Sequence, residues 1–276
     1  PWMLNLADYW MSCGDHNEIH LRHYGVSDKK IVRGCHPVDG DRYEQSIAAN
    51  PGEVLKIREK ICWDSNTIIF GFTAKYIKRK NPIEFIDAVA EAHQKDSRIR
   101  GIMLGGGDLE PEINERLSQL NGEVINLGFV NQSMIPYYYA AMDIFVVTSW
   151  IDPHPLVVSE AMVSGTPPIL SDRCGNWGYD DTVRHRYNGL VYPCGNSEAL
   201  AEAMIAMTNA EDRELYARRS KEVFYGQDLY FAVNSFLKVI RRIQLNRGQS
   251  PIETSHISAS RPLSPLSAST VQTPLS

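Results

Sequence analysis

The chain has 276 residues, of which 43% are hydrophobic and 22% are charged, enough for a sizeable core in one large or two small globular domains. Its formal net charge of −5 gives no general attraction to polyanions, which argues against nucleic acid as the main ligand. The sequence lacks the run of about 18 to 20 apolar residues that a membrane-spanning helix needs, and PWMLNLADYW at its start lacks the layout of a signal peptide.

Composition divides the chain into three regions. Residues 1–43 are polar and rich in turn formers, and are interpreted as the end of an amino-terminal domain followed by a linker. Residues 44–246 alternate short apolar strands with amphipathic helices, which is typical of one folded domain. Residues 247–276 are rich in Ser, Thr and Pro, and we expect a disordered tail there. Because the first residue is not Met, we expect the chain to begin inside a longer protein.

The cysteines are too few and too scattered for a disulfide framework or a zinc site. They number five and lie far apart, without a Cys-x-x-Cys pair: Cys13, Cys35, Cys62, Cys174 and Cys194. We interpret them as reduced thiols of a cytoplasmic protein, and we predict no metal site.

Six near-continuous apolar runs predict strands that are buried on both faces of a sheet: 67–73, 99–104, 123–128, 143–149, 167–171 and 189–192. Between them, residues 81–96, 109–120 and 197–207 have apolar residues at helical spacing. Strands and helices in alternation predict an α/β fold with a doubly wound parallel sheet, Rossmann-like in class. Ligands of such sheets bind beyond the carboxyl ends of the strands, so the segments that follow the strands are the candidate site.

A basic segment, AKYIKRKNP, follows the first of these strands. It carries Lys75, Lys78, Arg79 and Lys80 just before a helix that Pro82 is suited to open. Lysines at a helix start are typical of a phosphate or diphosphate site. A solvated basic loop is the commoner explanation of such a run, and the segment alone leaves both interpretations open.

Glycines and an exposed loop follow the next two strands. Gly105, Gly106 and Gly107 lack the spaced pattern of a dinucleotide fold, which disfavours a nicotinamide-dependent dehydrogenase; they are interpreted as permissive backbone near a ligand. Phe129 and Val130 follow the third strand, and we expect their main chain to contact a ligand at this edge of the sheet.

The stretch DPHPLVVSE follows the fourth strand. We predict a helix that opens with His154 as N-cap and Pro155 at the first position, so that the free N–H groups of Leu156 and Val157 face an anion. Asp152 then lies in the loop, and Glu160 in the second turn of the helix. Carboxylates on both sides of an anion site suit a nucleotide diphosphate sugar. Taken singly, each carboxylate is more often a turn residue or a surface helix residue.

Together these motifs resemble a family. AKYIKRKN is similar to the GRLxxxKG segment of retaining glycosyltransferases with the two-domain GT-B architecture, and DPHPLVVSEAMVSGTPPILSD is similar to their EGFPLVxxEAMAxGxPVV segment. VINLGFVNQSMIPYYYAAMDIFVVTS and VRHRYNGLVYPCGNSEALAEAM match further motifs in the same order. The resemblance runs from about Tyr24 to about Ile243, most of the chain. Four motifs in order are far more specific than any single one.

The resemblance implies roles for the matching residues. Lys75 stands at the family's Arg and Lys80 at its Lys, both of which bind the donor diphosphate. Glu160 matches the Glu that binds the ribose hydroxyls, and Asp152 stands where another Glu contacts the donor sugar. His154 replaces the usual Phe, and its polar ring is interpreted as a further contact to the nucleotide-sugar donor. Lys75 keeps the charge of Arg without its planar fork, and Asp152 is one methylene shorter than Glu.

The function implied is transfer of a sugar from a nucleotide diphosphate sugar, with retention, to an unknown glycan, lipid or protein acceptor. No cofactor is expected besides the donor substrate. Contact with a membrane is expected only through the absent amino-terminal domain. The alternative is a nucleotide-sugar-binding module without catalysis, which lacks an acceptor domain of its own.

Overall fold

The computed structural model describes residues 2–34, 36–61 and 64–250. The predicted tail from residue 251 onward lies outside these residues, as do Cys35 and Cys62. Within the described residues, no helix combines the length and the apolar character needed to cross a bilayer.

The main sheet has six parallel strands: β3 (Ile68–Lys75), β4 (Ile99–Gly106), β5 (Val124–Asn126), β6 (Ile144–Val147), β7 (Pro168–Ser171) and β8 (Leu190–Tyr192). Their spatial order is β5-β4-β3-β6-β7-β8. Each strand overlaps one of the six predicted apolar runs, and β3 and β4 each extend two residues beyond the predicted end. β3 pairs with β4 along its whole length, from Ile68 opposite Ile99 to Lys75 opposite Gly106. The prediction of a doubly wound parallel sheet is confirmed.

Seven helices follow or connect these strands: α4 (Pro82–Lys95), α5 (Glu110–Ser118), α6 (Ile135–Ala141), α7 (Leu156–Val163), α8 (Ser197–Ala206), α9 (Ala210–Gly226) and α10 (Leu229–Asn246). Because side chains of a strand point alternately to the two faces, Ile69 joins one apolar cluster and Phe70 the other. The first cluster holds α6, α7 and α9 against the sheet, and the second holds α4, α5 and α8. The sheet is therefore covered on both faces, as its near-continuous apolar strands predict.

The amino-terminal residues form a smaller unit. It consists of β1 (Trp10–Ser12), α1 (Asp15–His23) and β2 (Ile31–Arg33), with β1 and β2 paired in parallel. Its contacts with the main domain include a hydrogen bond from the backbone N–H of Asp15 to the Asp181 carboxylate at 2.7 Å and packing of the His16 ring on Trp177. The last helix returns to this unit, where the Asn246 amide donates to the Tyr9 hydroxyl at 3.1 Å.

Two helices connect the two units. Helix α2 (Gly40–Ala49) begins inside the predicted linker, because the Asp39 side chain caps it by accepting from the N–H of Arg42. Helix α3 (Pro51–Ile61) follows, and both pack on the main sheet through Tyr43 and Ile57 of the first cluster. Helices α2 and α3 therefore pack with the main domain.

Candidate functional site

The site predicted at the strand ends lies where the strand order reverses. The chain runs from β3 outward to β4 and β5 on one side, and then returns to β6, β7 and β8 on the other. The carboxyl ends of the neighbours β3 and β6 thus open into a crevice at the switch point, where ligands of such sheets bind. Lys75 ends β3, and Asp152 lies in the loop after β6.

The basic turn after β3 is fixed by local geometry and by bonds to the loop after β6. Its residues Lys78–Lys80 form a 3-10 turn that ends at Asn81, whose φ of 49° is left-handed, and Pro82 then opens α4 as predicted. The Thr148 hydroxyl donates to the carbonyl of Lys80 at 2.9 Å, and the N–H of Trp150 donates to the carbonyl of Arg79 at 2.9 Å. These bonds hold the turn against the β6–α7 loop.

Lys80 and Asp152 form an ion pair at this crevice. The ammonium contacts the Asp152 carboxylate directly, and the two side chains are only 17% and 10% exposed. The Asp152 backbone is held as well, since its carbonyl accepts from the N–H of Gly175 at 2.8 Å. A pair this buried costs desolvation and is stabilised only when both partners are present. The basic segment is therefore more than a solvated loop at Lys80.

Helix α7 begins one residue later than predicted. Its N-cap is Pro155 with ψ of 104°, no side chain caps it, and His154 is not the N-cap. The residue before a proline is biased to extended backbone, which carries the His154 ring away from the first turn. The first N–H groups, those of Leu156 and Val157, donate to no other described residue, and they form the positive end of the helix dipole.

His154 is packed beside the ion pair. Its Nδ1 is buried without a hydrogen-bond partner among the described residues. The pKa of His154 is lowered to about 4, mainly by burial and to a smaller extent by His36, while Asp152 opposes the shift. The ring is therefore neutral at neutral pH. We refer to Lys80, Asp152 and His154 as the charged end of the site.

Glu160 lies one turn into α7 and faces the interior. Its carboxylate accepts a hydrogen bond from the Tyr139 hydroxyl at 3.2 Å. Burial raises the pKa of Glu160, and the nearby hydroxyl groups of Tyr43 and Tyr139 partly offset that rise. Tyr139 is fully buried, and its hydroxyl adds a contact to a site residue that the sequence did not indicate. A side chain from α6 thus helps to fix the position of the Glu160 carboxylate.

A second part of the site opens on the β5 side of the switch point. This apolar cleft has a volume of about 430 Å³ and is lined by the last residues of β3 and β4, the loop after β5, and residues of α6 and α7: Thr73, Ala74, Lys75, Leu104, Gly105, Gly106, Phe129, Val130, Ile135 and Val157. Phe129 is 85% exposed at its rim. The cleft is wide enough for a planar, largely apolar group and presents one cation, Lys75.

The glycine run has a steric reason. Gly105 has φ of +147°, and a Cβ there would lie 1.9 Å from the Ala74 carbonyl oxygen. At the carboxyl ends of β3 and β4, the two backbones approach each other too closely for any side chain at this position. This close approach forms the floor of the cleft.

The predicted site residues therefore divide into two groups. Lys75, Phe129, Val130 and Val157 line the apolar cleft, whereas Lys80, Asp152 and His154 lie together at the charged end. Leu156, 42% exposed, starts the helix next to Val157. Arg173, in the loop after β7, belongs to neither group: its Nε lies 3.8 Å from the Asp172 carboxylate, and its side chain is mostly exposed.

Sequence reasoning missed a buried acid that supports the basic turn. Glu84, in the first turn of α4, accepts from the N–H of Gly195 at 2.8 Å and contacts the Asn81 amide. Burial raises the pKa of Glu84 to about 7. An acid in a first helical turn is so common that the sequence gives no signal of this role. Among the described residues, no group of three or more His, Cys, Asp or Glu could hold a metal ion.

Comparison with known proteins gives consistent results. Residues 53–223 match the model of a family described as glycosyl transferases group 1. An uncharacterized glycosyltransferase of Methanocaldococcus jannaschii is 33% identical over 168 residues, which cover 60% of this chain and 41% of the relative. The UDP-Gal:alpha-D-GlcNAc-diphosphoundecaprenol alpha-1,3-galactosyltransferase of Escherichia coli is 25% identical over 200 residues, which cover 70% of this chain and 49% of that relative. The matches span less than half the length of these two relatives.

Solved structures show the same fold. HepE of Anabaena, crystallised with UDP and glucose, superimposes with a TM-score of 0.68 at 19% identity, over 88% of this chain and 66% of that chain. A glycosyltransferase from Rickettsia africae superimposes with a TM-score of 0.71 at 17% identity, over 87% of this chain and 64% of that one.

Proposed function

The chain belongs to the glycosyl transferases group 1 family, with the GT-B fold that its motifs predict, and from that premise we propose that it binds a nucleotide diphosphate sugar and takes part in transfer of the sugar, with retention, to an acceptor. One observation carries the proposal. Lys80, from the turn after β3, reaches Asp152, in the loop after β6, directly before the unpaired N–H groups of Leu156 and Val157. A cation and a helix start thus converge at the switch point, as a diphosphate requires.

The two parts of the site fit the two ends of such a donor. We assign the base to the apolar cleft beside Phe129 and Val130, and the ribose hydroxyls to the Glu160 carboxylate, which the family motif supports. The diphosphate then runs past Lys75 and the start of α7 toward Lys80. Asp152 lies at the far end of this path, where it is proposed to contact the donor sugar.

In this arrangement the protein stabilises the departing diphosphate. When the bond between the sugar and the phosphate breaks, negative charge grows on the phosphate oxygens. The turn that carries Lys80 and the N–H groups of Leu156 and Val157 are held by the fold before the reaction, so they stabilise that charge once the donor is bound. We therefore expect catalysis without a metal ion, and undiminished activity in the presence of EDTA tests this expectation.

Isothermal titration with UDP, GDP and ADP tests donor binding. We expect at least one to bind, and Glu160→Gln to weaken it about 10-fold, because a charged acceptor for the ribose hydroxyls is lost. Glu91→Gln, a substitution at a partly exposed position of α4 that pairs with Lys95, is the matched control and is expected to leave affinity unchanged. Failure of all three nucleotides to bind the wild-type chain would contradict the proposal.

Catalysis is tested separately. Release of nucleoside diphosphate from donor sugars, measured with the protein joined to an acceptor-binding domain, is expected to depend on Lys80. The anomeric configuration of the product, read by NMR, tests retention. Nucleotide binding with no release of diphosphate under these conditions would favour the alternative of a binding module without catalysis.

A further inference from the structure

We infer that His36, on the segment that joins the two structural units, is a further donor-site residue, which donates a ring N–H to the sugar-linked phosphate of the bound donor. The inference rests on the proposed function, because it assigns a ligand contact within the same site. His36 lies between β2 and α2, outside every motif that the sequence associates with donor binding.

The backbone around His36 is anchored although its side chain is exposed. Two residues further on, Val38 is buried in the first apolar cluster. Gly40 packs so closely on the main domain that a Cβ would lie 2.5 Å from the Phe224 ring. Asp39, between them, caps α2. The segment is therefore held against the main domain on one side, and His36 projects from it at a defined place.

That place is the charged end of the site. The His36 ring lies 5.0 Å from the His154 ring, centroid to centroid, with a tilt of 54°. His154 immediately precedes Pro155, the N-cap of α7. The free N–H groups of this helix, at Leu156 and Val157, thus lie two and three residues along the chain from the histidine that His36 contacts. The His36 ring makes no hydrogen bond to another described residue, so its N–H is available to a ligand.

The charge balance at this end leaves a need for a further donor. Lys80 is already paired with Asp152, which offsets its charge, and Lys75 lies at the apolar cleft, toward the base. His154 is neutral and its Nδ1 is enclosed. A histidine ring carries at least one N–H in either protonation state. His36 can therefore donate to a phosphate oxygen whether it is neutral or charged.

The order of the donor along the site selects the phosphate. With the base in the apolar cleft, the phosphate attached to ribose lies near Lys75 and Val157, and the phosphate attached to the sugar lies toward Lys80 and His154. His36 is adjacent to the second of these. A nucleoside monophosphate lacks this phosphate, so it serves as the internal control for the contact.

The test compares His36→Ala with His23→Ala, an exposed histidine on α1 that the site does not include. Both variants and the wild type are titrated with UMP and UDP, and with the guanosine and adenosine pairs if these bind more tightly. We expect His36→Ala to weaken the diphosphate about 5- to 10-fold and to leave the monophosphate unchanged, as loss of one hydrogen bond to an anion predicts. His23→Ala is expected to change neither affinity, and His36→Gln, which keeps an N–H donor, to recover part of the loss.

The possible outcomes separate this inference from the proposed function. Equal diphosphate affinity in His36→Ala and the wild type overturns the role of His36 and leaves nucleotide binding intact. An equal loss for monophosphate and diphosphate also overturns it, because the contact would then not be to the sugar-linked phosphate. If the wild type binds no nucleotide, both proposals are wrong. Circular dichroism of His36→Ala is expected to match the wild type, since the replaced ring is exposed.

Discussion

The charged end and the apolar cleft differ in what occupies them before any ligand binds. At the charged end, the Lys80 ammonium is paired with Asp152, and the His154 ring is packed with its Nδ1 enclosed. At the cleft, a volume of about 430 Å³ stays open beside a Phe129 ring that is 85% exposed. A diphosphate must therefore compete with an internal carboxylate for Lys80, whereas a base enters a preformed space.

This difference reflects the cost of leaving each kind of group alone. A buried ammonium without a partner is strongly unfavourable, so the fold supplies Asp152. Exposing an open apolar cleft to water costs much less, and the close backbone contact between Gly105 and Ala74 keeps the cleft in shape. Burial of the base in the cleft can therefore offset the cost of replacing Asp152 by a diphosphate as the partner of Lys80.

The largest effect is expected from breaking the floor of the cleft. Gly105→Ala places a Cβ 1.9 Å from the Ala74 carbonyl oxygen at a left-handed φ of +147°, so backbone must move. We expect the free energy of unfolding to fall by about 3 kcal/mol, measured by urea denaturation. Gly52→Ala, with open space around the added methyl, is the control and is expected to leave stability unchanged or slightly higher. Equal stability of the Gly105→Ala variant would show that the cleft floor is not rigid.

Removing the cation breaks the charged end. Lys80→Ala is expected to weaken nucleoside diphosphate binding about 100-fold, because it deletes a direct charge contact and leaves Asp152 unpaired beside the anion. Lys78→Ala, on the same turn but exposed, is expected to change the affinity less than about 3-fold. Titration calorimetry measures both. Similar losses in the two variants would mean that the turn acts through its general charge and not through Lys80.

The pH dependence of stability tests whether His154 is buried in its neutral form. Its pKa is lowered to about 4, so below pH 6.5 the unfolded chain binds a proton that the folded chain does not. His154 therefore costs stability as the pH falls, about 2 kcal/mol between pH 7 and pH 5. We expect His154→Phe to remove this loss, which urea denaturation at the two pH values measures.

Glu84 provides the opposite sign as a control. Its pKa is raised to about 7, so between pH 7 and its ordinary value of 4.5 the folded chain holds a proton that the unfolded chain releases. Glu84 therefore adds stability as the pH falls, and Glu84→Gln is expected to remove that gain. A change of the same sign in His154→Phe and Glu84→Gln would contradict the burial of one of the two groups.

The smallest effect is expected at the rim of the cleft. Phe129→Ala removes an exposed ring without disturbing the core, so the melting temperature is expected to stay unchanged. Nucleotide affinity is expected to fall about 5-fold, since the ring covers one face of the base. Tyr179→Ala, also an exposed aromatic substitution but outside the cleft, is the control. Unchanged affinity in the Phe129→Ala variant would limit base contacts to the main chain.

Much of the fold was predictable because it depends on local patterns. Apolar runs marked all six strands of the main sheet, and Pro82 marked the start of α4. The N-cap of α7 was predicted one residue early, since both His154 and Pro155 are compatible with the first turn by sequence. Helix α2 was not predicted, because the capping role of Asp39 does not stand out among so many turn formers.

Three features follow from the sequence alone, because they depend on apolar periodicity and on motifs along the chain: the alternation of strands and helices, the family, and the residues at the strand ends. Three contacts are visible only in the folded chain: Lys80 is paired with Asp152, Glu160 accepts from Tyr139, and His36 lies against His154. Each of these contacts joins segments far apart in sequence. Their partners are chosen by strand order and helix packing, which leave no trace in the spacing of residues along one segment.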